Sequence, residues 1–126
     1  MHLASLQQGH LCSTAIVGAG LPLGIGAAFA NKRLANGRIV VVMFGDGATE
    51  EGSFWETMNV ASLMRLPIIF ACEDNDLAVH TRPDKRRGFG SFEDLCRNFR
   101  MPYLRFDDND PETALRLTDE AISLVD

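Results

Sequence analysis

The chain has 126 residues, 46% of them hydrophobic, which suits one sizeable core and leaves no length for a second domain. A formal net charge of -5 and a pI near 5.1 give no electrostatic footprint for a polyanion, so nucleic acid is not an expected partner. No apolar run reaches the roughly 18 residues a membrane span needs, and Met1-His2-Leu3 does not open a charged and then apolar signal, so the chain reads as cytoplasmic, with no membrane partner.

In chain order, the first patterned segment is Val17 to Leu34, where Gly18, Gly20, Gly24, Gly26, Ala27, Ala28 and Ala30 interleave with Leu21, Leu23, Ile25 and Phe29. It predicts a helix from Leu21 or Pro22, where proline is tolerated in the first turn, to just before Asn36-Gly37. Small side chains permit close backbone approach, so this helix is expected at a packed interface. Arg38 to Phe44 is an almost wholly apolar, β-branched run, the pattern of a central strand covered on both faces.

Gly52 to Arg65 carries Phe54, Met58 and Ala61 at helical spacing and is stopped by Leu66-Pro67, after which Ile68 to Cys72 gives a second buried strand. Strand, helix and strand make a βαβ unit, so the two strands should be parallel. Ser91 to Phe99 predicts a shorter helix and Tyr103 to Phe106 a third strand. Asp110-Pro111-Glu112 opens a last helix with a capping residue, a first-turn proline and an acidic first turn. The expected fold class is α/β, a three-layer α/β/α domain with a parallel sheet.

In such sheets ligands gather beyond the carboxyl ends of the strands. There the sequence places Gly45-Asp46-Gly47, whose backbone N–H groups and following helix form a site for anionic oxygen. Asp46 puts a carboxylate in the same place, which is compatible with a phosphate only through an intervening cation. Magnesium, a hard ion that takes carboxylate and phosphate oxygens together, is the natural choice. The second strand delivers Glu73-Asp74-Asn75-Asp76 to the same edge, with Asn75 lying 29 residues after Asp46.

Taken alone, Gly-Asp-Gly is also an ordinary strand-ending turn. The full string from Gly45 to Asn75, GDGATEEGSFWETMNVASLMRLPIIFACEDN, resembles the thiamine-diphosphate signature in the form found in alpha subunits of 2-oxo-acid dehydrogenase decarboxylase components (pyruvate, acetoin or branched-chain type). Gly52, Glu56, Asn59, Ala61, Leu66-Pro67 and Cys72-Glu73 extend the match. Upstream, Ala15 to Gly24 resembles the segment that lines the cofactor's rings, and Met1-His2-Leu3 resembles the end of a Gly-rich segment of the same family.

The resemblance implies a thiamine-diphosphate-binding fold and the cofactors thiamine diphosphate and Mg2+. Asp46 and Asn75 would bind the metal, with the Leu77 carbonyl as a third ligand. Gly47 and Ala48 would donate N–H groups to the diphosphate, Val17 would wedge between the two rings and Ala15 would contact the aminopyrimidine. The implied activity is oxidative decarboxylation of a 2-oxo acid with acyl transfer to a lipoyl arm. The implied partners are a beta subunit and a lipoyl-bearing acyltransferase, within a homo- or hetero-oligomer. The isolated chain is expected to pair as a two-fold dimer through the Leu21 to Leu34 helix.

The sequence departs from the family at Asp74, where a second Asn is usual, at Leu77, where an aromatic is common, and at His80, where a small hydroxyl residue is usual. Histidine is the residue type suited to acid-base work near neutrality, so His80 is a candidate acid-base group, although an exposed loop histidine accounts for it as well. The family's alpha subunits are more than twice as long, so residues 1–126 read as a single domain truncated at both ends and inactive alone. Two other readings stay open: a transketolase-like transferase subunit, which Glu51-Gly52 and Trp55-Glu56 also fit, and a non-catalytic truncated domain. Arg82 to Arg87, the densest positive stretch, reads as a solvated loop. Cys12, Cys72 and Cys96 show no metal spacing.

Overall fold

The computed structural model describes residues 2–107 and 109–125, so Met1 lies outside the described residues. Its centre is a parallel pair of strands, β1 (Val40–Gly45) and β2 (Ile68–Glu73), in a register that sets Val40 opposite Ile68 and Gly45 opposite Glu73. Helix α1 (Gly20–Leu34) precedes β1, and α2 (Gly52–Met64) makes the crossover to β2. Two more helices follow, α3 (Phe92–Asn98) and α4 (Pro111–Val125), the latter lying against β2. The described residues thus form a mixed α/β structure with a two-stranded parallel sheet.

Each helix end has a local cause. Pro22 sits in the first turn of α1, where its missing N–H costs nothing, and the helix stops at Ala35, whose left-handed conformation returns its N–H to the carbonyls of Asn31 and Lys32. Arg65 closes α2 the same way, and the Lys32 ammonium donates to the Arg65 carbonyl at 3.0 Å, tying the two helix ends together. Ser91 caps α3 by accepting from the Asp94 N–H at 3.0 Å.

Asp110 caps α4 by accepting from the Thr113 N–H at 3.0 Å, a bond that holds its carboxyl below the ordinary carboxylate range. Because the folded value is depressed, this cap stabilises α4 fully above the ordinary value of 3.8 and is lost as pH falls through the depressed one. Protection of the first-turn amides of α4, the exchange rate taken relative to the intrinsic rate at the same pH, should therefore fall on acidification. Asp110→Asn, an equally good cap that does not titrate, should lose that pH dependence.

The core lies on one face of the sheet. Val40, Val42 and Phe44 of β1 point with Ile68 and Phe70 of β2 towards Leu21, Ala28, Phe54, Met58, Ala61 and Leu95. Gly24 lets α1 press onto β1: a Cβ there would collide with the Val42 Cγ2 methyl. On the other face Val41 is 55% and Met43 69% exposed, so the expectation of a strand covered on both faces is not met. An unbroken apolar run reports that both faces are apolar. Within the described residues α1 and α2 cover only one of them. The small-residue helix does face a packed interface, but an intramolecular one on its Leu21, Gly24 and Ala28 side, while Leu23, Phe29 and Leu34 are exposed.

The third strand expected at Tyr103 to Phe106 does not form: the segment is irregular, and Phe106 is half exposed. Its β-favouring residues specify extended backbone, but a strand exists only by pairing its N–H and C=O groups with a neighbour, and β1 and β2 pair only with each other among the described residues. Phe54 is buried in the core, and Trp55 is 38% exposed, edge-on between Phe54 and Phe89. No helix of the described residues is long and apolar enough to cross a membrane.

Candidate metal and diphosphate site

The parallel register fixes the site. Since Gly45 is opposite Glu73, the residues just beyond the two strands, Asp46 and Asp74-Asn75, emerge at one edge of the sheet. Asp46 opens a 3-10 turn, Asp46–Glu50, held by the Thr49 hydroxyl donating to the Asp46 carbonyl at 2.7 Å. The helix read from Gly52 begins there, and the tight turn carrying Gly47 and Ala48 fills the interval between it and the strand end. A Cβ on Gly47 would come within 2.9 Å of the Ala78 Cβ, so glycine is what lets the first loop pack on the second.

The second loop is shaped by its own side chains. The Asn75 Oδ1 accepts from the Leu77 N–H at 3.0 Å and the Asp74 Oδ1 from the Asp76 N–H at 3.3 Å, two successive Asx turns. Asp76 and Val79 adopt left-handed conformations with φ of 62° and 57°. For a β-branched valine this is uncommon and marks a loop constrained by its surroundings. Asn75, Leu77 and His80 are exposed, and Ala78 bridges to Thr81.

Asp46 is the buried charge of the site, 2% exposed. Its Oδ2 accepts from Arg86 and, at 2.7 Å, from Arg87, which also reaches the Asp74 Oδ1 at 3.0 Å; Arg86 also pairs with Glu50. These arginine side chains are only 8% and 11% exposed. The solvated-loop reading of Arg82 to Arg87 is thereby corrected for its last two residues. A buried carboxylate demands compensating cations, and the loop turns back through a 3-10 turn, Pro83–Lys85, to supply them. Burial alone would raise the Asp74 carboxyl, but hydrogen bonds from Arg87 and the Asp76 N–H hold it below the ordinary range. The Arg87 guanidinium lies 4.5 Å above the Phe92 ring, and its buried Nε has no hydrogen-bond partner among the described residues.

Arg86, Arg87 and Glu50 are the site residues that motif reasoning missed. The only signal for the two arginines was the charge run itself. The expected site residues divide by position. Asp46, Gly47, Ala48, Asn75 and Leu77 belong to the two loops joined at the sheet edge. Ala15 and Val17 lie on an exposed segment that reaches the start of α2 through Gly18, where an added Cβ would stand 3.2 Å from the Ser53 Oγ. His80 lies on the exposed second loop. Among the described residues no group of three or more His, Cys, Asp or Glu is placed to hold a metal ion.

Cys72, near the end of β2, is half-buried beside this edge. Burial, reinforced by the Asp74 and Asp46 carboxylates, pushes its thiol up to about 12. At pH 8 that leaves its thiolate about a thousandfold rarer than for a thiol at the ordinary value. Iodoacetamide should modify exposed Cys12 first and leave half-buried Cys72 and Cys96, whose thiols burial pushes up, largely intact until the chain is unfolded, as read by peptide mass spectrometry.

Residues 1–124 match the family described as "Dehydrogenase E1 component". The chain is 37% identical over 110 residues to the alpha subunit of an acetoin:2,6-dichlorophenolindophenol oxidoreductase of Cupriavidus necator, covering 87% of this chain and 33% of that protein. It is 33% identical over 122 residues to the pyruvate dehydrogenase E1 component subunit alpha of Rhizobium meliloti, covering 97% of this chain and 35% of that protein. A 66-residue stretch, 52% of this chain and 18% of the relative, is 48% identical to the mitochondrial pyruvate dehydrogenase E1 component subunit alpha of Dictyostelium discoideum. The chain thus spans about a third of the length of the first two relatives. A match over nearly every residue, through both loops of the site, means that the chain belongs to the dehydrogenase E1 component family.

Proposed function

We propose that the chain is the magnesium- and diphosphate-binding part of the alpha subunit of a thiamine-diphosphate-dependent 2-oxo-acid dehydrogenase. One observation carries this reading: the β1–β2 register brings a buried carboxylate and an asparagine loop to the same sheet edge, beside a tight turn whose glycine permits contact between the two. The donor set suits the metal. The Asp46 carboxylate, the Asn75 amide oxygen and the Leu77 carbonyl are hard oxygens of the kind magnesium prefers, and Asp46 already attracts concentrated positive charge.

In this reading Asp46, Asn75 and Leu77 hold the ion, and the Gly47 and Ala48 N–H groups donate to the diphosphate. Ala15 and Val17 would border the rings, with the exposed Val17 side chain as the wedge between them. The bound cofactor supplies the electron sink for decarboxylation. The chain supplies orientation and charge. The uncovered Val41 and Met43 face fits a sheet completed into a three-layer domain by the rest of the alpha subunit. The exposed Leu23 and Phe29 side of α1 fits a beta subunit, and a lipoyl-bearing acyltransferase would take the acyl group.

The test is reconstitution of the complete alpha subunit with its beta partner, supplied with a 2-oxo acid or with a ketose phosphate. Decarboxylation of the 2-oxo acid alone is the expected result. Turnover of the ketose phosphate alone would move the protein to the transketolase-like class.

A further inference from the structure

We propose that Arg86 and Arg87 form a latch that occupies Asp46 and must be displaced before a divalent cation can bind there. This rests on the reading of Asp46 as a magnesium ligand. Three carboxylates, Asp46, Glu50 and Asp74, face two guanidinium groups in one network, and both guanidinium groups converge on the same Asp46 oxygen. A divalent cation needs that carboxylate and cannot share the space beside it with two cations. Each arginine also has a second anchor within the network, Glu50 for Arg86 and Asp74 for Arg87. The pair can therefore release Asp46 without losing every ionic partner. The latch adjoins an aromatic row: Arg87 stacks on Phe92, Phe92 meets Phe89 at 5.4 Å between ring centroids, and Phe89 meets Trp55 edge-on at 5.7 Å. Trp55 is the chain's single tryptophan, so its emission reports the position of the arginine loop.

The experiment titrates the chain with Mg2+ alone, following heat by calorimetry and Trp55 emission in parallel, for wild type and Arg86→Gln/Arg87→Gln. Arg82→Gln/Lys85→Gln is the control, removing the same formal charge from exposed positions of the same loop; circular dichroism checks that each variant is folded. A latch predicts that wild type binds with a change in emission. The Arg86→Gln/Arg87→Gln chain should bind about tenfold or more tightly, with emission already shifted and no longer responsive, and the control should match wild type. Wild-type binding without a change in emission, or an Arg86→Gln/Arg87→Gln chain that binds no more tightly, overturns the latch and leaves the Asp46 assignment standing. Absence of both binding heat and an emission change in all three chains also overturns the latch, while the Asp46 assignment is decided separately by cofactor titration of the complete alpha subunit. The wild-type emission change needs no variant, so a variant that fails to fold does not remove the test.

Discussion

Asp46→Ala is expected to abolish magnesium-dependent cofactor binding in the complete enzyme and to destabilise the chain as well. The two effects have separate causes. Binding is lost because the one buried carboxylate at the strand ends is gone. Stability falls because two nearly buried guanidinium groups lose their shared partner. Breaking a buried ion pair from one side costs about 3–5 kcal/mol when the remaining charge is orphaned. Here Arg87 keeps Asp74 and Arg86 keeps Glu50, so a smaller loss of about 2 kcal/mol is the expected size. Asn75→Ala should abolish binding equally while leaving the denaturation midpoint nearly unchanged, because Asn75 is exposed and supports only its own loop. Cofactor titration alongside urea denaturation separates the pair. Equal stability of the two variants would contradict the buried network around Asp46, and retained binding by either would remove it from the metal site.

The second large effect is expected at the helix-sheet contact. Gly24→Ala improves helix propensity by about 1 kcal/mol, yet it drives a methyl group into the Val42 side chain, which is buried and stiff at χ1. Overpacking of this kind costs about 1–3 kcal/mol, so the clash should outweigh the propensity gain. Val42→Ala removes the obstructing methyl groups. The double variant should therefore be more stable than the sum of the two single changes predicts, a coupling that a double-mutant cycle in urea measures directly. Additive effects would mean that α1 and β1 separate freely enough to absorb a methyl group.

These two sites show what was legible in the sequence. The βαβ unit was, because the apolar run of Val40 to Phe44, the helical spacing of Phe54, Met58 and Ala61, and the stop at Leu66-Pro67 each carry their own periodicity. Parallel pairing then followed from crossover geometry and placed Asp46 beside the Asn75 loop. Asp110 was readable as a cap because its side chain acts within three residues of itself. Long-range pairing and burial were not readable. Tyr103 to Phe106 has strand-like composition but no partner edge, and Val41 and Met43 are apolar with nothing over them among the described residues. The arginines were invisible for the same reason: Arg82, Lys85, Arg86 and Arg87 look alike in sequence, and only the path of the loop turns the last two inward onto a carboxylate 40 and 41 residues away in the chain.

The central claim is that the two loops at the ends of β1 and β2 bind thiamine diphosphate through magnesium. It is tested most directly by calorimetric titration of thiamine diphosphate into the complete alpha subunit with its beta partner, with and without Mg2+. The account predicts saturable binding that needs Mg2+ and disappears in both Asp46→Ala and Asn75→Ala. Binding of equal strength without any divalent cation, or undiminished in those variants, would contradict it.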